Sequence, residues 1–330
     1  MITFAEFIYK PMLKKLLCFF LLCPLLYLYG CNDSGGNNTS TNEDLCLREQ
    51  LSFDPVIFQQ NGFHLFVIGD TGTGDNNQQN AADSLESYHL NYPLDGIIHT
   101  GDIFYPNGLD SADHDDTYSK FTAVYQGISP LPWYLVAGNH EHDGSIQALT
   151  TFAAGFESLH FPGLYYLKTL AKAGINWQVN LLATDTTPFT FGLVQAGQLA
   201  WLQNQLSARE NQLNLVIGHH PIFSNGTHGD TEELQGSFYR LLQQYRVPLY
   251  LSGHEHNLQL LASKEAVNFL VSGGGGAGLS EVSCGDNLYA NKSHGGFALF
   301  ISRENIYVIP VTLAGPEIMF SLPLEQVADN

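Results

Sequence analysis

From Phe63 onward, short apolar runs alternate with polar turns and amphipathic stretches. His64–Ile68, Asp95–His99, Trp133–Val136, Leu213–Ile217 and Val247–Leu251 have the length and composition of strands, and Asn176–Ala183 alternates as a half-buried strand does. Ala81–Leu90 and Gln198–Leu206 read as helices; in the second, Leu199, Leu202 and Leu206 share one face. From Val267 the pattern is mostly strand, interrupted at Ser272–Gly278. There is no internal repeat and no charge run. A single α/β domain with mixed sheets follows.

Five of the strands end alike. They lead into Gly69-Asp70, Gly101-Asp102, Gly138-Asn139, Gly218-His219 and Gly253-His254. Functional residues of α/β sheets collect where strands give way to loops at their carboxyl ends. A glycine there lets the backbone bend, so that the next side chain enters a shared cleft.

Charge narrows the chemistry. The chain of 330 residues carries 13 Lys+Arg against 32 Asp+Glu, a formal charge of −19. Such a surface excludes nucleic-acid binding through phosphates. An anionic substrate would have to be held by local cations, for which metal ions are the obvious source. With 44% apolar residues the chain can bury a full core.

The N-terminus reads as a targeting segment. Lys14-Lys15 precede the apolar run Leu16–Tyr29, which is short for a membrane span, and Gly30-Cys31 resembles a lipoprotein cleavage box. An uncleaved anchor or an ordinary signal peptide, with Cys31 incidental, is the plainer reading. The polar stretch Asn32–Asp44 would serve as a tether. The expected division is 1–30 signal, 31–60 tether and lead-in, and 61–330 catalytic domain. The expected location is outside the cytoplasm: periplasm, outer membrane through lipid on Cys31, or secreted. Cys46 and Cys284 then remain in the folded part, where they either pair or stay as two unrelated thiols.

Asp70, Asp102, Tyr105, Asn139, His219, His254 and His256 offer only oxygen and nitrogen donors, a mixture suited to Fe, Mn or Zn rather than to a thiolate-bound structural zinc. The blocks Gly69-Asp70-Thr71-Gly72, Gly101-Asp102-Ile103-Phe104-Tyr105, Gly138-Asn139-His140-Glu141, Gly218-His219-His220-Pro221 and Gly253-His254-Glu255-His256 resemble, in order and spacing, the five blocks of the metallophosphoesterases. Tyr105 narrows the resemblance to purple acid phosphatases, nearest the small tartrate-resistant branch. Pro132-Trp133-Tyr134, Gln198–Leu202 and Gly295-Gly296-Phe297 add to it.

The resemblance implies two mixed sheets packed face to face with helices outside, and two metal sites. Asp70, Tyr105 and His256 would hold one ion, Asn139, His219 and His254 the other, and Asp102 would bridge them. A phenolate suits a trivalent ion, and the family pairs Fe(III) with divalent Fe, Zn or Mn. Two carboxylates, a phenolate and a hydroxide against such a pair leave the site slightly positive. Phosphate monoesters would be cut by a hydroxide held at the two metals. His140 and His228 match the family's proton donor and phosphate-positioning pair; orienting a ligand, or simply lying in a loop, are their duller roles. The implied protein is a monomer acting on small phosphorylated substrates, with no nucleic-acid partner and no membrane contact beyond a lipid on Cys31.

Three departures stand out. Thr71 replaces a frequent Trp, which predicts a smaller or more polar wall. His220 replaces a usual Tyr, either as a titrating group or as filling. The stretch from Asp185 to Gln198 is short, which predicts an open site. Ser272–Gly276 lacks the following helix of a dinucleotide fingerprint and reads as a close-packed loop beside the metals. His64, His99, His160 and His294 read as structural, and His114 and His142 as edging the pocket. The rival functions are a phosphodiesterase, which lacks the tyrosine ligand, a protein phosphatase, and a non-catalytic metal- or phosphate-binding lipoprotein, which would have lost a ligand.

Overall fold

The computed structural model describes residues 45–193 and 195–324. The expected signal segment, Cys31 and the tether Asn32–Asp44 lie outside the described residues. Among the described residues, no helix is long and apolar enough to cross a membrane.

Two mixed sheets form the frame. One runs, edge to edge, Leu45–Leu47, Asn287–Asn291, Leu258–Lys264, Val267–Ser272, Leu249–Ser252, Leu213–Ile217, Val179–Ala183 and Tyr166–Leu170. The other runs Leu51–Ser52, Ile318–Pro323, Asn305–Thr312, Gly295–Ile301, Phe63–Ile68, Gly96–His99, Trp133–Leu135 and Leu159–His160, with Gly315–Pro316 beside Asn305–Thr312. The lead-in thus adds one edge strand to each sheet.

Side-chain alternation explains the layering. Leu215, Ile217, Leu249 and Leu251 join a core that also takes Leu65, Val67 and Phe297 from the facing sheet. Val216 and Tyr250, between them in sequence, point the other way. There they meet Leu202 and Leu206 of helix Ala196–Ser207, and Phe238 and Leu242 of helix Ser237–Gln244. On the outside of the second sheet, helix Asn76–Asn91 packs on strands Gly295–Ile301 and Asn305–Thr312, burying Ala81, Ala82, Leu85 and Tyr88. The order is helix, sheet, sheet, helix, as the resemblance implied. Strands covered on both faces read as unbroken apolar runs, and Phe63–Ile68 is buried at every position.

The helix expected over Ala81–Leu90 starts earlier, at Asn76. Asp75 caps it, accepting from the backbone N–H groups of Asn77 (3.0 Å) and Gln78 (3.1 Å). The Asn- and Gln-rich first turn carries no apolar period, which hides that start. Strands Tyr166–Leu170 and Leu258–Lys264 and helix Ser237–Gln244 are additions to the expected set.

Cys46 and Cys284 form a disulfide, with Cα atoms 5.5 Å apart. It staples edge strand Leu45–Leu47 to the segment leading into Asn287–Asn291, with which that strand pairs antiparallel. A disulfide fits an extracytoplasmic protein. Because the stapled strand is short and peripheral, the double variant Cys46→Ala/Cys284→Ala should keep both sheets. Backbone hydrogen exchange should rise at Cys46, Leu47, Tyr289 and Ala290, with the central strands unaffected. Global unfolding instead would contradict this local reading.

A second expectation concerns acid. His64 is buried, its Nδ1–H donating to the Pro93 carbonyl (3.1 Å) and its Nε2 accepting from the Tyr88 hydroxyl (3.0 Å). Burial lowers its pKa to about 4. The folded chain keeps this ring neutral, while the unfolded chain protonates it below its ordinary value. Its contribution is therefore present at neutral pH and is lost as pH falls from about 6.5 toward 4, by up to about 3 kcal/mol. In urea unfolding at pH 7 and 4.5, His64→Gln should show a correspondingly smaller loss than the parent chain. An equal loss would place the acid sensitivity elsewhere.

Candidate metal centre

Strands Phe63–Ile68, Gly96–His99 and Trp133–Leu135 lie parallel and adjacent in one sheet, and Leu213–Ile217 and Leu249–Ser252 do so in the other. All five motif residues therefore leave carboxyl ends. The two sheets are stitched together beside them. Ser272 Oγ donates to the Val67 carbonyl (2.8 Å), and the N–H groups of Gly275 and Ala277 donate to the carbonyls of Gly69 and Asp70 (both 3.0 Å). The glycine-rich segment is thus a close-packed loop on the centre. A Cβ on Gly273 would lie 2.1 Å from the Glu255 carbonyl oxygen and 2.8 Å from Asp70 Oδ2.

Two buried glutamates shape the loops. Glu141 accepts backbone N–H groups from Gly138 (2.8 Å), Asp102 (2.9 Å), Ile103 (2.8 Å) and Phe104 (3.1 Å). Glu255 accepts those of Thr227 (3.0 Å), His228 (2.6 Å) and Gly229 (3.0 Å). With these anchors the chain holds Asp70, Asp102 and His254 at φ of 57°, 53° and 68°. Such left-handed conformations cost non-glycine residues roughly 1–3 kcal/mol each and cluster where a site demands them. Gly138 is needed because a Cβ there would come within 2.1 Å of Asp102 Oδ1.

The seven expected ligand residues converge. The Tyr105 hydroxyl lies 3.2 Å from Asp70 Oδ1, 3.1 Å from Asp102 Oδ2 and 3.1 Å from His256 Nε2. His219 Nε2 lies 3.1 Å from Asn139 Oδ1 and 3.3 Å from Asp102 Oδ2. The ligand atoms of Asp70, Asp102 and His219 are all within 4.8 Å of one another. The His254 ring lies 5.1 Å from that of His219.

Tautomers follow from the outer partners. His219 Nδ1–H donates to the Thr100 carbonyl (2.9 Å) and His256 Nδ1–H to that of Gly278 (2.8 Å), so the neutral rings present lone pairs at Nε2. His219 Nε2 faces two oxygens that are themselves acceptors, an arrangement that calls for a positive charge at this nitrogen, either a proton or a bound cation. Burial alone would lower His219, yet the Asp102 carboxylate beside it pushes it up to about 9, so the carboxylates favour a positive charge on or at this ring. Burial would raise Asp102, but His219 and His140 hold it well below the carboxylate range. Burial and the two carboxylates raise the Tyr105 phenol far above its usual value. Burial and the neighbouring histidines take His254 down to about 3, and burial lowers His256. Buried carboxylates, a phenol, an amide oxygen and neutral imidazoles fit a pair of hard or borderline cations.

His140 and His228 border the centre. The His140 ring packs 4.3 Å from that of Tyr105, its Nδ1–H donates to the Pro106 carbonyl, and its Nε2 lies 3.7 Å from Asp102 Oδ2. The half-exposed His228 packs 4.5 Å from the His254 ring.

Of the departures, Thr71 differs from expectation and His220 takes the second of its two expected roles. Thr71 is no wall: it is wholly buried, its hydroxyl 2.9 Å from His99 Nε2. His220 is filling rather than a titrating group, since burial first, then His219 and His254, push its pKa far down. Thr186 Oγ1 accepts from the N–H groups of His219 (3.1 Å) and His220 (2.9 Å), which leaves its own hydrogen for His220 Nδ1 (3.0 Å). Thr186 thus occupies His220 Nδ1; the His220 ring packs 4.4 Å from that of His254, and ligand atoms of His219, His220 and His254 lie within 4.8 Å of one another. The short stretch after Asp185 is closed at its base, where the Gln198 amide bonds both the N–H (2.7 Å) and the carbonyl (2.8 Å) of Asp185. His142 Nε2 meets the Asp185 carboxylate at 3.0 Å, and His114 caps a helical turn instead of edging the centre. Sequence reasoning had assigned no task to Glu141, Glu255 or Thr186; the only signal for the glutamates was their place inside the histidine blocks.

Comparison with known proteins agrees with this geometry. Residues 63–258 match the family model described as calcineurin-like phosphoesterase. Tartrate-resistant acid phosphatase type 5 of Rattus norvegicus is 33% identical over 199 residues, 55% of this chain and 61% of that protein. The chain thus spans about six tenths of the length of that relative. Purple acid phosphatase 3 of Arabidopsis thaliana is 31% identical over 274 residues, 76% of this chain and 72% of that protein. Among solved structures, the yellow lupin purple acid phosphatase PPD1 superposes with a TM-score of 0.62 at 16% identity, covering 81% of this chain and 54% of that one. GAP50, described as the anchor in the inner membrane complex of Plasmodium, superposes at 0.72 with 19% identity, covering 80% and 90%. At these identities the two structures bear on the fold alone. By its matched blocks, its sequence relatives and its two-sheet frame, the chain belongs to the metallophosphoesterases and, within them, to the purple acid phosphatase family.

Proposed function

We propose that the chain is an acid phosphatase that hydrolyses phosphate monoesters at a two-metal centre. The observation that carries this reading is the convergence of oxygen and nitrogen donors: the ligand atoms of Asp70, Asp102 and His219 lie within 4.8 Å of one another, with Tyr105, His256 and Asn139 in contact with them. Asp70, Tyr105 and His256 would hold one ion, Asn139, His219 and His254 the other, with Asp102 between them. Tyr105 favours Fe(III) at its site, paired with divalent Fe, Zn or Mn. When bound, such a pair neutralises phosphoryl oxygens and lowers the pKa of water enough for attack at mild pH.

The remaining work falls to protein groups. His140 stacks on the tyrosine of one ligand set and His228 on a histidine of the other, so the two border the place where a phosphoryl group would sit. His228 protonates the leaving alkoxide, and His140 orients the phosphate. Around this centre we place a monomer exported from the cytoplasm, with a lipid on Cys31 as its membrane tether and small phosphorylated molecules as its substrates.

The test is a rate comparison on metal-replete protein between an aryl phosphate monoester and the matching diester, from about pH 4 to 8. A monoester preference on the acid side is expected. A diester preference would move the function to phosphodiesterase, and inactivity at full metal content would defeat the catalytic reading. Asp102→Asn should lose bound metal and activity together, measured by elemental analysis and turnover. His228→Ala should keep its metal and lose about 10²-fold or more on alkyl phosphates, with a much smaller loss on activated aryl esters. Unchanged alkyl phosphate rates would remove His228 from the mechanism.

A further inference from the structure

Between the two histidines of the last block lies Glu255, wholly buried. Besides the three backbone N–H groups of residues 227–229, its carboxylate accepts from two hydroxyls, Ser224 Oγ (3.4 Å) and Ser280 Oγ (3.2 Å). The Ser224 hydroxyl is already an acceptor for the Gly226 N–H (2.9 Å) and the Gln259 amide (3.0 Å), so its hydrogen is available only to Glu255. The remaining partner is His228, whose Nδ1 lies 3.3 Å from Glu255 Oε2. One carboxylate therefore holds the backbone around His228 and lies beside its ring.

Glu255 also reaches the opposite wall. Ser280 donates its N–H to the His256 carbonyl (3.0 Å), and Thr227 Oγ1 donates to the Glu281 carbonyl (3.2 Å). The loop bearing His228 and the loop that orients His256 through Gly278 thus share this one anchor.

We propose that Glu255 is a positioning residue for His228: it keeps a hydrogen at Nδ1 whether the ring is neutral or protonated, so that the proton the ring takes up and passes to a leaving group is the one at Nε2. The proposal rests on the reading of His228 as that group's proton donor. A half-exposed imidazole on a surface loop samples several rotamers and both tautomers. A carboxylate held at Nδ1 removes that freedom, as it does for metal-bound histidines.

Two measurements test it. Histidine-selective 15N NMR on zinc-loaded protein, with His228→Ala for assignment, reads the tautomer directly. The parent protein should carry the His228 hydrogen on Nδ1, and Glu255→Gln should mix the two tautomers. A neutral parent ring with its hydrogen at Nε2, or a tautomer indifferent to Glu255→Gln, would overturn the proposal whatever His228 does in turnover. Kinetically, Glu255→Gln, normalised to bound metal, should lower kcat on alkyl phosphates about 10- to 100-fold more than kcat on activated aryl esters. Glu255→Asp, which keeps the carboxylate one methylene further back, should recover part of that loss and supplies a milder variant should the glutamine protein not fold. In a His228→Ala background, Glu255→Gln should cost nothing further. A full additional loss there, at equal metal content, would make Glu255 a scaffold residue only and defeat the proposal. A tautomer that responds to Glu255 beside a His228→Ala enzyme of full activity would uphold the positioning and fell only the donor role.

Discussion

Everything at the centre depends on Glu141. A loop that turns sharply enough to aim Asp102 and Tyr105 inward leaves its own N–H groups without helix or sheet partners. Buried donors of this kind are expensive unless satisfied. Glu141 satisfies four of them from one point, and a single carboxylate can do so because it has two oxygens and accepts only. The left-handed backbone of Asp102 is tolerable on these terms. Glu255 repeats the device on the other sheet, so each half of the ligand set has its own internal anion.

This division of labour separates shaping from binding. Asp70 and Asp102 face the centre, while Glu141 and Glu255 face backbone. Four buried carboxylates in so small a volume would repel one another strongly if all were bare. The amide groups around the glutamates screen two of them, and the histidines and phenol address the others. The chain's overall acidity therefore does not carry into the centre, where the local fields are set by hydrogen-bond donors and by imidazoles.

Much of this was legible in the amino-acid order. The motif strands announced themselves because apolar runs ended in glycine and a metal-capable side chain, and the seven residues proposed as ligands lie together around one centre. The start of the helix at Asn76 was hidden because its first turn is polar and its signal is a single cap, Asp75. Strand Leu258–Lys264 was hidden because it follows a ligand block directly and buries Gln259 beside its leucines. Thr71 and His220 were read from what usually stands at those places, whereas their roles depend on partners distant in sequence, His99 and Thr186. The pairing of Cys46 with Cys284 joins residues 238 positions apart and was open until the edge strand could be placed.

The glycine-lined floor has an evolutionary side. At Gly138 and Gly273 any added carbon would strike a ligand carboxylate or the backbone beneath it, so these positions admit almost no variation. Change in what the pocket accepts must then come from the rim, from the segments around His140, His228 and residues 278–283. Descendants of this chain could diverge widely in the molecules they process while the centre beneath stayed nearly the same from one to the next.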